Sequence, residues 1–239
     1  MNAIELIPFP KLALAFLPVA IVIVILWKWK TGFKNSIYAM ARMVIQLLLI
    51  GYALTFIFGT QSSWMVLAVL SVMLLSASWI SLRTIEMKRI HLISKSFIAI
   101  LVGGGSILFV ITQGVLELQP WHLAHYMISL AGMIFANAMN SISLAGERLQ
   151  SEISRNEPYE KARLTAFQAS LIPITNSLFA VGLVSLPGMM TGQILSGVSP
   201  FIAVRYQIMV MCMMFGSAGI SSAIFLHLVR PHFEKDKST

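Results

Sequence analysis

Val181-Gly-Leu-Val-Ser-Leu-Pro-Gly-Met-Met-Thr-Gly-Gln193 joins two apolar segments, Ala166–Leu186 and Arg205–Val229, each long enough to cross a lipid bilayer. The Pro187-Gly188 pair halts a helix, because proline lacks an amide hydrogen and glycine accepts backbone angles that other residues resist. Broken backbone beside lipid needs protein around it. Gly188 and Gly192 form a small-xxx-small spacing through which a neighbouring backbone can approach, and Met189, Met190, Thr191 and Gln193 bring soft or polar atoms to a membrane boundary. Two readings stay open: a tight connector between spans, or a re-entrant gate beside a transport path. Pro187, Gly188 and Gly192, with the helix-bending Pro173 upstream, are the expected hinge.

Outward from this stretch the same run length recurs. Leu12–Trp27, Ser36–Phe58, Trp64–Leu82, Ile93–Val115 and Leu123–Leu144 complete a set of seven apolar runs, each with roughly the 20 residues that span about 30 Å of hydrocarbon. Hydrophobic residues make up 57% of the 239 and charged residues 11%, against roughly 25% charged in soluble domains. The expected fold is therefore an all-α integral membrane protein with about seven transmembrane helices, residues 1–239 forming one transmembrane domain. Leu12–Trp27 lacks both the preceding charges and the small-residue cleavage site of a signal peptide, so it counts as a span. The lone cysteine, Cys212, permits no disulfide within the chain.

The net charge of +8 reports topology rather than nucleic-acid binding. With loops assigned alternately to the two sides, all but three of the 17 Lys and Arg fall on one side, from Lys28 through Lys88 and Lys161 to Lys237. Lys11 and Arg205 take the other side, and Arg42 lies within a span. By the positive-inside rule the N-terminus is outside and the C-terminus cytoplasmic.

Polar residues inside the runs are the candidate path. Asn137, Asn140 and Ser141 fall at i, i+3 and i+4 on one helical face, and unpaired amides are costly in lipid, so this face meets another helix or a water-filled path. Asn176 and Ser177, beyond Pro173, pose the same choice at mid-span. Arg42 and Gln46 share a face near a membrane boundary, where an arginine can snorkel. Gly103-Gly104-Gly105 is followed by no Gly-Lys-Ser/Thr and is read as close helix packing or a kink. Met209, Cys212 and Met213 share a face that suits soft metals, but packing explains methionine in helices as well. Gly216, Ser217, Gly219, Ser221 and Ser222 form a small-residue surface for close helix contact, across a dimer among the options. Glu117, His122 and His125 offer metal ligands only at loose spacing, beside a Pro120-Trp121 interfacial turn.

Several of these stretches together resemble the Fet-type permease family. They are Ala169-Ser-Leu-Ile-Pro-Ile-Thr-Asn176, Gly182–Leu195, Arg205-Tyr-Gln-Ile-Met-Val-Met211 and Ala136-Asn-Ala-Met-Asn-Ser-Ile-Ser-Leu144, the last with Ala where the family more often has Gly, and Gly51-Tyr52 after Arg42 and Gln46 is similar too. The likeness runs from about Arg42 to Ser222. It implies the membrane subunit of a two-gene ABC transporter linked to iron export, with plant relatives implicated in aluminium tolerance. It implies further a bacterial plasma (inner) membrane, a homodimer of this chain in membrane lipid, and a separate ABC ATP-binding subunit that holds ATP and Mg.

In ABC permeases a short cytoplasmic helix docks on the ATPase. The resemblance places that coupling role on the cytoplasmic segment of about residues 145–165, where Asn156-Glu157-Pro158 reads as a helix start and a short amphipathic helix follows from Tyr159. Glu157, Pro158, Tyr159, Glu160, Lys161 and Arg163 are the coupling candidates, with a solvated mixed-charge loop as the bland alternative. Relatives carry a longer stretch here, including a Leu-Gly-Ala-Thr-Pro run of which only Pro158 has an obvious counterpart.

No Walker lysine, His-Glu-x-x-His or Gly-x-Ser-x-Gly occurs in the sequence, so no catalysis is expected of this chain. The expectation is a permease that exports iron or another metal on ATP hydrolysed by a separate subunit. Asn137, Asn140, Asn176 and Ser177 are expected to line the path, together with Met189, Met190 and Gln193 as lining or gate. An ABC permease for a non-metal cargo, an ATP-independent carrier and a membrane scaffold remain the alternatives.

Overall fold

The computed structural model describes residues 7–59, 62–85 and 89–235. Lys88 and Lys237, two of the residues behind the charge asymmetry, lie outside them. The described residues are almost entirely helical, and the chain divides into two units, Met1–Thr60 and Gln61–Thr239.

The first unit holds α1 (Phe9–Leu14), α2 (Leu17–Lys28) and α3 (Phe33–Gly59). Pro8 stands extended ahead of α1 and Pro18 falls in the first turn of α2, positions where a missing amide hydrogen costs no helical bond. Within this unit α2 packs on α3. Neither α1 nor α2 buries a residue. Ile21, Val22, Leu47 and Leu49 are among many large apolar side chains left exposed, a surface suited to lipid.

The second unit holds α4 (Ser63–Ser81), α5 (Arg89–Phe109, continued by a π-helical stretch Val110–Val115), α6 (Ala124–Ser154), α7 (Tyr159–Ala180), α8 (Gly188–Leu195) and α9 (Pro200–Lys235). Its core lies along α6 and α9, where Ile134, Ala138, Ile142, Leu149, Met213 and Phe225 are buried. Cross-helix contacts fix the directions. Ser81 and Ser96 hydroxyls meet at 2.7 Å, Thr84 reaches Ser143 at 2.9 Å, and Tyr159 reaches Leu226. With Ile174 clustered on Met211 and Asn137 bonded to Ser217, the five long helices of this unit alternate in direction.

Glycine sets the closest of these approaches. A Cβ added to Gly103 would lie 2.8 Å from the backbone nitrogen of Ser221 and 2.9 Å from its Cα, so α5 and α9 touch backbone to backbone there. Gly104 faces Ile134 and Phe135 of α6, while Gly105 meets nothing nearer than Leu101 at 3.9 Å. The small-residue face of α9 is thereby filled within the chain. Ser217, Ala218, Ser221 and Ser222 are all buried, which removes this face as a contact for a second copy.

Among the described residues, six helices are long and apolar enough to cross a membrane: Phe9–Lys28, Phe33–Gly59, Ser63–Ser81, Ile90–Val115, Ala124–Ser154 and Pro200–Phe233. The run Ala166–Leu186 is the exception among the seven expected. Its helix, α7, begins at Tyr159 with charged residues and stops at Ala180, so the apolar part from Ala166 reaches only ~22 Å at 1.5 Å per residue. Two boundaries move with it. α6 runs ten residues beyond Leu144 to Ser154, and the helix starting at Tyr159 is no separate cytoplasmic piece but continues unbroken past Pro173. The reason is packing, because Ala145, Gly146, Leu149, Tyr159 and Ala162 are buried against their neighbours.

Candidate functional site

α7 ends seven residues before the Pro187-Gly188 pair, and the intervening turn is built by glycine. Gly182 takes φ +82°, its N–H donates to the Ser185 carbonyl at 3.0 Å, and Val181 bridges Ser185. Pro187, extended at φ −61° and ψ 148°, then leads into α8, whose Thr191 N–H bonds back to the Pro187 carbonyl at 3.0 Å. Gly188 and Gly192 meet no neighbour within 4 Å of where a Cβ would stand. Their small-xxx-small spacing therefore serves no close helix contact among the described residues; both glycines are exposed on α8.

This turn and α8 close one side of a cavity of about 450 Å³. α6 lines it with Met133, Ala136, Asn137 and Asn140, and α9 with Gln207, Val210, Met211 and Met214, the same i, i+3, i+4, i+7 stripe on each. Ser177, Val181, Ser185, Pro187, Gly188 and Met189 complete the wall. Of the residues expected to line a path, Asn137, Asn140, Ser177 and Met189 come together here. Asn176 and Gln193 do not line this cavity. Met190 faces a separate space of about 360 Å³ with Gln207, Met211 and Cys212.

The polar groups around the cavity have different standing. Asn137 donates its side-chain amide to the carbonyl oxygen of Met214 and to Ser217 Oγ at 3.2 Å, so it joins α6 to α9. Asn140 is exposed toward the space. Gln207 is 5% exposed and its Oε1 has no hydrogen-bond partner, an arrangement that folded proteins avoid unless water or a ligand completes it. Every lining side chain is neutral.

A second cavity, about 320 Å³, shares Met133 and Met189 with the first and continues to His125, Tyr126, Tyr206 and Met209. Met133 and Met189 thus border both spaces. Sequence reasoning missed Gln207, Ser185 and Met133 as lining residues. Gln207 carried a readable signal, a lone amide in an apolar helix. The other two needed the tertiary arrangement. The expected thiol–thioether face of α9 splits instead: Met213 is buried, Cys212 is exposed, and Met209 faces the second cavity. Glu117, His122 and His125 form no metal cluster, nor does any group of three His, Cys, Asp or Glu among the described residues.

At the opposite end of α7 the coupling candidates occupy its first turn and the turn before it. Tyr159 is buried and its hydroxyl donates to the Leu226 carbonyl. Glu160 pairs with Arg163 at 2.7 Å and with Arg230 of α9 at 3.1 Å, while the Arg230 guanidinium stands 5.7 Å from the Tyr159 ring centre. Lys161 pairs with Glu157 at 3.0 Å, and Pro158 caps the helix. This end of α7 is fastened to α9, which lines the cavity further along.

The chain matches a family model described as an uncharacterised protein family, UPF0014, over residues 9–233. It is 36% identical to the probable iron export permease protein FetB of Escherichia coli, over 93% of this chain and 91% of that protein. It is 34% identical to the UPF0014 membrane protein slr1647 of Synechocystis sp., over 87% of each. Protein ALUMINUM SENSITIVE 3 of Arabidopsis thaliana is 30% identical, over 93% of this chain and 86% of that one. No solved structure matches.

Proposed function

The chain belongs to the UPF0014 family, and from that premise we propose that it is the membrane-spanning permease of an ABC transporter that exports iron or another metal. ATP and Mg are held by a separate ATP-binding subunit, and this chain has no enzymatic step of its own. The observation that carries the reading is the neutral, polar-edged cavity where α6, α8 and α9 meet, lined by Asn140, Met189 and Gln207. Its similarity to the probable iron export permease of E. coli supports the cargo class.

In this reading the chain crosses a plasma membrane, the bacterial inner membrane, seven times. α7 supplies the seventh crossing because it runs antiparallel between α6 and α9, although its own apolar length is short. The N-terminus is outside and the C-terminus cytoplasmic, as the basic residues favour. The ATPase docks at the turn between α6 and α7, and closure pulls on Tyr159 and Glu160. Their bonds to Leu226 and Arg230 pass that movement along α9 to Gln207, Met211 and Met214. A single coupling site per chain makes two copies the working unit.

The deciding experiment is coexpression of this chain with its ATP-binding subunit, reconstitution in lipid, and measurement of ATP-dependent iron movement. Stable copurification with hydrolysis that responds to changes at Glu157–Arg163 is the expected result. Metal movement without any partner would replace the ABC reading by a carrier. No association between well-folded chains, and no movement, would leave a scaffold.

A further inference from the structure

We propose that the cavity between α6, α8 and α9 is a binding site for a soft monovalent cation, Cu(I), held by the thioethers of Met133, Met189, Met211 and Met214. Four methionines from three helices face one space of about 450 Å³. Met211 and Met214 also pack with Ile174 and Ala218, but all four methionines border one space that their flexible side chains leave unfilled. Thioether sulfur is a soft, uncharged donor that selects Cu(I), whereas harder cations prefer carboxylate, carbonyl or water oxygen.

The remaining lining sharpens the choice. No charged side chain borders the cavity, so nothing there offsets the charge of a bare trivalent ion, and the cost of stripping an ion of water rises steeply with its charge. A monovalent ion is the least costly to hold. Gln207 Oε1 is the buried side-chain oxygen of this wall that has no hydrogen-bond partner. Met side chains turn about three bonds, which lets thioethers from separate helices converge on one ion. The role of the site as a cargo site rests on the transport reading above, but binding itself needs neither ATP nor a partner.

The test uses the purified full-length chain in detergent, with Cys212→Ser to remove the exposed thiol. Anaerobic Cu(I) is titrated in competition with a chromophoric Cu(I) chelator, and Ag(I) serves as a redox-inert second probe. One Cu(I) per chain is expected, with sulfur in its first coordination shell by X-ray absorption. Met189→Leu combined with Met211→Leu should weaken binding by at least about tenfold. Met43→Leu, at an exposed position on α3, should leave it unchanged. Leucine keeps nearly the volume of methionine, and matched thermal unfolding confirms that the variants fold. Absence of binding, or equal loss in the double variant and in Met43→Leu, overturns the site. ATP-dependent iron movement by a chain that binds no Cu(I) overturns this inference and leaves the transport reading standing. Methionine-dependent Cu(I) binding by a chain that moves no metal does the reverse.

Discussion

Asn137 gives its amide hydrogens to the Met214 carbonyl and to Ser217 Oγ, while Asn140, one helical turn on, makes no side-chain hydrogen bond to α9 and borders the cavity. Two asparagines on one face of α6 thus carry different loads. Asn137→Ala should destabilise the fold by about 1 kcal/mol, the usual worth of an interhelical hydrogen bond in a membrane. Asn140→Ala should leave unfolding by SDS titration unchanged and reduce metal export at equal expression. Equal destabilisation by both would mean that Asn140 is structural and not part of a path.

The backbone contact between Gly103 and Ser221 gives a sharper contrast. Gly103→Ala puts a methyl 2.8 Å from a main-chain nitrogen that cannot move without displacing α9, and overpacking of this kind costs about 1–3 kcal/mol. Gly105→Ala meets only an ordinary contact with Leu101 at 3.9 Å on the same helix, where alanine favours helix by up to about 1 kcal/mol. Thermal unfolding followed by size-exclusion chromatography should move in opposite directions for the two variants.

Much of this was legible beforehand, for identifiable reasons. Apolar run length found the long helices because lipid demands a fixed thickness whatever the tertiary arrangement. Asn137, Asn140, Ser177 and Met189 stood out because polar and soft groups are rare in such runs. Three features were not legible. α7 stops at Ala180 because the Gly182 turn, not Pro187, breaks it. α6 continues to Ser154 because Gly146 packs on Ile85 and Phe225 and Leu149 is buried. The small face of α9 is filled by α5, and no pattern within α9 says which helix will come to it.

At the far end of α7, Tyr159→Phe keeps the ring under Arg230 but removes the bond to the Leu226 carbonyl. Loss of a buried hydrogen bond of this kind costs about 1–3 kcal/mol because the acceptor is left behind. Arg230→Ala breaks the half-exposed pair with Glu160, and exposed pairs contribute less than about 1 kcal/mol. If these contacts carry motion to α9, Arg230→Ala should lower metal export per ATP hydrolysed far more than it lowers stability. Unchanged coupling in a stably assembled complex would confine the contact to holding the helices together.

Gln207 separates a functional role from a structural one most cleanly, because stability and transport should respond with opposite signs. A buried carbonyl oxygen without a partner costs the fold about 1–3 kcal/mol, so Gln207→Leu, which removes the polar group and nearly keeps its bulk, should raise the unfolding midpoint or leave it unchanged. A residue kept only for packing would then lose nothing by the exchange. A residue whose oxygen meets the cargo would lose export while the protein grew more stable, the trade expected where a site is held unsatisfied for a ligand. Export and thermal unfolding measured on the same Gln207→Leu preparation decide the matter: reduced export at equal or higher stability assigns Gln207 to the cargo, and undiminished export assigns it to the core.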